Sequence, residues 1–208
     1  MTEEIKDEAK EAAAEDIDLR QKVRAIVLKA LSERQIDKEN LKSVIHAVTM
    51  GVTEGADGDA SKLEASLKQA VSGIDDALEK TAEAAKLATK EAIGKTQEFA
   101  DRELKASLNE LETLEDMFID TLNVVAKNTE RLGQGILNDL ANHLKNSGTQ
   151  AGSTAKDAIQ ELQKDLAEAG RDSVNHASTA GKEAANNIAQ IASGILSGLA
   201  DALNEKRK

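Results

Sequence analysis

Gly194-Ile-Leu-Ser-Gly-Leu-Ala-Asp-Ala-Leu203 repeats, in skeleton, Gly135-Ile-Leu-Asn-Asp-Leu-Ala-Asn-His-Leu144. In both copies large apolar residues return at steps of three and four, the spacing of one helix face. The same spacing runs outward in both directions. Upstream it takes in Leu63, Leu67, Ala70, Ile74, Ala77, Ala85, Ala88 and Ala92, with Thr81 as the one polar member. It resumes with Phe99, Leu104, Leu108, Leu111, Leu114, Phe118, Leu122, Val125, Leu132, Ile136, Leu140 and Leu144. Between the copies it continues through Ile159, Leu162, Leu166, Ala177, Ala184, Ile188 and Ile191, and it runs into the second copy at Ile195, Leu199 and Leu203. The reading is an all-α chain: an elongated helical bundle, or long antiparallel helical hairpin, with a small helical head.

Composition agrees with that class. The 208 residues include no proline, cysteine, tryptophan or tyrosine, and the two aromatics are Phe99 and Phe118. Without proline nothing forces a kink, so helices can run long. Much of the 40% hydrophobic content is alanine, which favours helix but buries little area per residue. A thin core is expected, and with it self-association into a homo-oligomer. The net charge of -11 argues against nucleic acid as the main partner, since phosphates call for clustered Lys and Arg. The acidic opening Met1-Thr-Glu-Glu-Ile-Lys-Asp-Glu8 is unlike a signal peptide. No run approaches the ~18 apolar residues of a membrane span. A cytoplasmic protein without a transmembrane segment is the expectation.

In order along the chain, residues 1–16 read as an acidic, disordered tail. Residues 17–58 read as the head, a short hairpin. Its first helix carries Leu19, Val23, Ile26, Val27 and Leu31, and its second carries Leu41, Val44, Ile45, Val48 and Val52 behind Asp37 as N-cap. Gly55-Ala-Asp-Gly-Asp59 reads as a turn. Residues 59–147 read as one long amphipathic helix, breakable near Gly94 or across 128–135. Residues 148–153 read as a reversing turn, and 154–208 as a return helix lying back along roughly 93–147.

Candidate chemistry is sparse. His143 follows Asp139 by one helical turn and His176 follows Asp172 likewise, pairs that place a carboxylate beside an imidazole. A metal site needs further converging ligands, and there is neither cysteine nor H-E-x-x-H; no metal and no cofactor is expected. His46 reads as structural. Glu110, Glu112, Glu115, Asp116 and Asp120 form an acidic patch, but the Glu-x-x-His element of di-metal bundles is missing, so the patch reads as a solvated face. Gly133-Gln-Gly135 has neither the strand nor the lysine of a phosphate loop. The chain is expected not to be an enzyme.

What remains is the repeated apolar face. Ile136, Leu140 and Leu144 in the first copy, and Ile188, Ile191, Ile195, Leu199 and Leu203 in and before the second, are the candidate interaction surface. In a hairpin turning near residues 147–152 the two copies lie at opposite ends, so each needs its own cover. A neighbouring helix, a sister chain and a lipid or granule surface all fit such a face. The polar side of the last helix (Asn186, Gln190, Ser197, Asp201, Asn204) lacks the Lys and Arg that bind anionic bilayers.

The Ala-, Lys- and Glu-rich amphipathic helices with their Gly-Ile-Leu clusters, over residues 60–208, resemble phasins, helical proteins that coat polyester storage granules. Stress-protective LEA-type helices are similar to Ala82–Lys95. The phasin resemblance implies a cytoplasmic, non-enzymatic, self-associating coat protein. Three functional expectations follow: a self-associating structural or interaction protein, a coat on a lipid or polyester surface, or a helical component of a pore-forming or secreted complex.

Overall fold

Seven α-helices make up the described residues, with no strand among them. The computed structural model describes residues 2–15, 17–32, 38–56, 60–93 and 97–173, side chains included outside 92–107 and 166–173. In chain order the helices are α1 (Thr2–Glu15), α2 (Leu19–Ser32), α3 (Lys38–Gly55), α4 (Ala60–Ile93), α5 (Gln97–Asn128), α6 (Arg131–Ser147) and α7 (Gln150–Ser173).

The N-terminal residues are not a disordered tail. They form α1, whose face Ile5, Ala9, Ala12 and Ala13 is buried, chiefly against α3. Alanine is the best helix former, and here α3 presents Gly51 and Gly55 to it. A Cβ on Gly51 would overlap the Lys6 carbonyl oxygen, and one on Gly55 the Lys10 carbonyl oxygen. The two backbones therefore approach closely. Charges that looked merely solvated bind across helices: Lys6 to Glu54 at 2.6 Å, Lys29 to Glu8 at 2.7 Å, and Lys22 to Glu15.

Nor is 17–58 a separate head. α2 packs on α4, and α3 packs on α4 and α5. Val23 of α2 lies against Gly73 of α4, and the Arg20 guanidinium donates twice, at 2.7 Å each, to the Asp76 carboxylate. One core runs from α1 through α7, including Leu31, Ile45, Leu67, Ile74, Phe118, Leu122 and Leu162. Buried threonines within it are satisfied by their own helices. Thr49, Thr81 and Thr121 donate to the carbonyls of Ile45, Ala77 and Met117 at 2.8, 2.9 and 2.7 Å, the i−4 bond open to a helical hydroxyl.

The expected 59–147 helix is three helices. α4 ends at Ile93 and α5 begins at Gln97, flanking the Gly94 position; α5 and α6 are separated by Thr129 and Glu130. α5 folds back beside α4, and α6 folds back on α5. The arrangement buries three amphipathic stripes against one another where a single rod would have left them open.

The turn expected at 148–153 is shorter and does not reverse the chain. Gly148, at φ +80°, donates its N–H to the Leu144 carbonyl at 2.8 Å and ends α6; positive φ is the conformation glycine adopts without strain. α7 begins only two residues later, at Gln150. α6 and α7 are not packed side by side; both lie along α4 and α5. α7 also pairs most extensively with α4, not with 93–147. Its residues climb in step with those of α4: Gln150 and Ala151 sit at Asp75, Glu161 at Lys86 and Lys90, and Asp165 at Lys90. The two helices are parallel.

Candidate functional site

The expected interaction residues of the first repeat lie on α6. Leu137 and Ala141 point into the core and are fully buried. Ile136, Leu140 and Leu144, one flank over, are packed only partly against it, and Leu132 is 49% exposed. These four fall at steps of four, so they form a continuous apolar rim about 18 Å long. α6 is tied to the bundle at its start, where Gly133 is buried and a Cβ built on it would lie 3.4 Å from the Thr53 side chain. Gly135, one of the pair that looked like a helix interruption, sits inside α6 with open space where its Cβ would be. The rim is thus presented on a regular helix held by α5, α4 and the end of α3.

The residues of the second repeat, Ile188, Ile191, Ile195, Leu199 and Leu203, lie outside the described residues. So does His176, and its partner Asp172 lies where side chains are not described. His143 and Asp139 are both exposed on α6. His46, half-buried on α3, faces a groove between α3 and α5. Among the described residues no three His, Asp or Glu side chains converge as a metal site would require.

The acidic patch divides into two roles. Asp116 and Asp120 are exposed and line the α3–α5 groove. Glu115 turns the other way, its side chain 20% exposed, and reaches the start of α7. There the Thr149 N–H and hydroxyl donate to Glu115 Oε1 at 2.8 and 3.1 Å, and Lys156 Nζ to Oε2 at 3.3 Å. Asp75 of α4, 9% exposed, completes the junction: Gln150 N–H donates to its Oδ2 at 2.9 Å and Ala151 N–H to Oδ1 at 3.0 Å. The Gly152 N–H donates to Thr149 Oγ1 at 2.8 Å. The first orphan donors of α7 are therefore met by two carboxylates from other helices and one hydroxyl, with the dipole favouring the negative charge.

The two carboxylates respond oppositely. Burial pushes Asp75 above its ordinary value, and the two N–H bonds only partly offset this. Burial also pushes Glu115 upward, but the bonds from Thr149 and Lys156 outweigh it and leave Glu115 below its ordinary value. Chemically this junction is a fastening of α7 to α4 and α5, with every acceptor engaged by backbone or lysine. Sequence reasoning missed it. Its one visible signal is Thr149, an N-cap residue type placed directly before the run that becomes α7.

The sequence pattern of a family of unknown function (DUF6781) matches residues 1–205. The chain belongs to that family. DUF6781 therefore takes in α1, the bundle and both copies of the Gly-Ile-Leu element within a single match. Searches of curated proteins and of solved structures gave no match. Among the described residues no helix is long and apolar enough to cross a membrane.

Proposed function

We propose that the protein is a non-enzymatic helical interaction protein that self-associates through the apolar rim of α6. The observation that carries this reading is the partial exposure of Leu132, Ile136, Leu140 and Leu144 on a helix otherwise firmly seated in the core. The thinness argument for self-association no longer contributes, because the core is continuous across all seven described helices. The rim stands on its own: four large aliphatic residues in register gain burial only from something outside the described bundle. A second copy can supply it with an identical rim, giving a two-fold contact.

A coat on a lipid or polyester surface uses the same residues differently. The two readings separate on Leu140→Asp assayed with neutral phospholipid vesicles and with polyester particles. Self-association predicts that neither wild type nor variant co-sediments with either surface, and that the variant loses assembly. Adsorption of wild type that Leu140→Asp abolishes would replace the self-association reading with the coat reading.

A further inference from the structure

α1 and α2 form an antiparallel pair, in which Glu8 meets Lys29 and Glu15 meets Lys22. The chain reverses between them without a glycine or a proline. Asp18 adopts φ +52° there, a left-handed conformation that strains a residue carrying a Cβ. Its carbonyl accepts the first bond of α2, from the Lys22 N–H at 3.0 Å. A residue opening a helix in this way normally has an extended φ; Asp18 does not. Ile17 beside it is 67% exposed, a large aliphatic side chain left in water. Neither residue breaks a helix as glycine or proline does. The reversal is held from outside, by the docking of α1 on α3.

The two helices also share one phase. Ile5, Ala9, Ala12 and Ala13 are buried on α1. Each has a buried counterpart 18 residues later on α2, at Val23, Val27, Ala30 and Leu31. Eighteen residues make about five whole turns of helix. If the chain ran straight through the joint, both buried faces would fall on one stripe of a single helix about 46 Å long.

We propose that α1 exchanges between two copies of this chain: the reversal at Asp18 straightens, and α1 of each copy docks on α3 of the other. The docking surface itself selects this occupant. A Cβ on Gly51 would overlap the Lys6 carbonyl oxygen, and one on Gly55 the Lys10 carbonyl oxygen, so the surface is fitted to the backbone of α1. A second copy brings the same Ala9 to Gly51 and the same Lys6 to Glu54. Two straightened helices lying antiparallel about the joint also bring Glu8 of one copy to Lys29 of the other. Exchange thus repeats the contacts of α1 and relieves the strain at Asp18, the conditions under which a short hinge swaps.

Within one chain, α1 meets its own dock at an effective concentration on the order of millimolar. Single chains therefore stay closed at micromolar concentration, and exchange belongs to concentrated protein. It is a mode of self-association separate from the α6 rim and does not depend on that reading.

The chain has no cysteine, so introduced cysteines report without background. All test proteins are full-length and carry Leu140→Asp to disable the rim. Chains with Lys6→Cys are mixed with chains with Glu54→Cys at about 1 mM, incubated to equilibrium, diluted, and treated with a short bis-maleimide. Electrophoresis and peptide mass identify the products. Lys6 and Glu54 pair at 2.6 Å, so a cross-link between chains marks α1 of one docked on α3 of another. The expected yield is at least tenfold above that of Lys6→Cys mixed with Leu87→Cys, two positions that meet only by collision. A yield no higher than this control would overturn the proposal. The hinge supplies a second readout. Asp18→Gly removes the strain of the closed reversal and should lower the yield about threefold. Asp18→Ala favours the straight helix and should raise it. Equal yields from the two variants, or the reverse order, at unchanged helicity would also overturn it.

Discussion

At the scale of single residues, the α4–α7 junction and the glycines give opposite kinds of test. Asp75 accepts from two backbone donors at the start of α7, one of them on the fully buried Ala151. Asp75→Ala leaves both unmet, a loss expected to cost about 1–3 kcal/mol. Asp75→Asn retains one acceptor oxygen and removes the buried charge, so it should cost distinctly less. Chemical denaturation of the pair checks the order; an asparagine variant as damaged as the alanine variant would contradict the capping role. Glycine positions differ by what lies beyond them. Gly135→Ala adds a methyl into open space inside α6 and should stabilise by about 0.5–1 kcal/mol. Gly51→Ala drives a methyl into the backbone of α1, and overpacking of about 1–3 kcal/mol outweighs the same propensity gain. Melting temperatures should therefore move in opposite directions. Two shifts of the same sign would mean that the α1–α3 approach is not as close as described.

Among the elements, what could be read from the sequence followed side-chain size. Leu67, Ala70, Ile74 and Ala77 were legible as the inner face of α4, and all four are buried. Leu19, Val23, Val27 and Leu31 were equally legible on α2. α1 was not, because its inner face is mostly alanine and its partner surface is glycine; neither stands out in a hydrophobicity pattern, and seven carboxylates dominate the stretch. Glu115 was read as water-facing and Asp75 was not singled out, because nothing local distinguishes a carboxylate that will cap a helix some 34 or 75 residues away. The direction of α7 was missed for the same reason. Its pairing with α4 is written in such contacts, together with Glu161, which accepts from Lys86 at 2.8 Å and from Lys90.

Those two lysines hold Glu161 down to about 2, from an ordinary 4.5. A depressed carboxylate contributes stability that is present above its unfolded value and lost as pH falls through its folded one. The α4–α7 contact should therefore weaken between about pH 4.5 and pH 2. Asp75, raised above its ordinary value by burial, acts in the opposite sense: it takes up its proton more readily in the folded chain, so acid favours the folded state at this group. Glu161→Gln isolates the first effect. Its melting temperature should fall less than that of wild type over pH 4.5 to 2, and equal falls would show that the lysine bridge adds nothing to stability, as many exposed pairs do not.

For the whole molecule, the decisive change from the sequence reading is that the chain closes on itself. A head and a long hairpin would leave thin faces for a sister chain to cover; the seven helices instead share one core. Among the described residues Ile17, Leu87 and Val124 are exposed singly, and the proposed self-association rests on the α6 rim, where Leu132 is followed by the partly buried Ile136, Leu140 and Leu144. Light scattering on wild type and Leu140→Asp at micromolar concentrations, with circular dichroism on the same samples, tests this claim most directly. Leu140 is only partly buried, so its replacement leaves the α6 fold largely in place while setting a charge in the contact. The account predicts a wild-type dimer or larger assembly, and a Leu140→Asp monomer of unchanged helicity. A wild-type monomer, or a variant that assembles as wild type does, would contradict it.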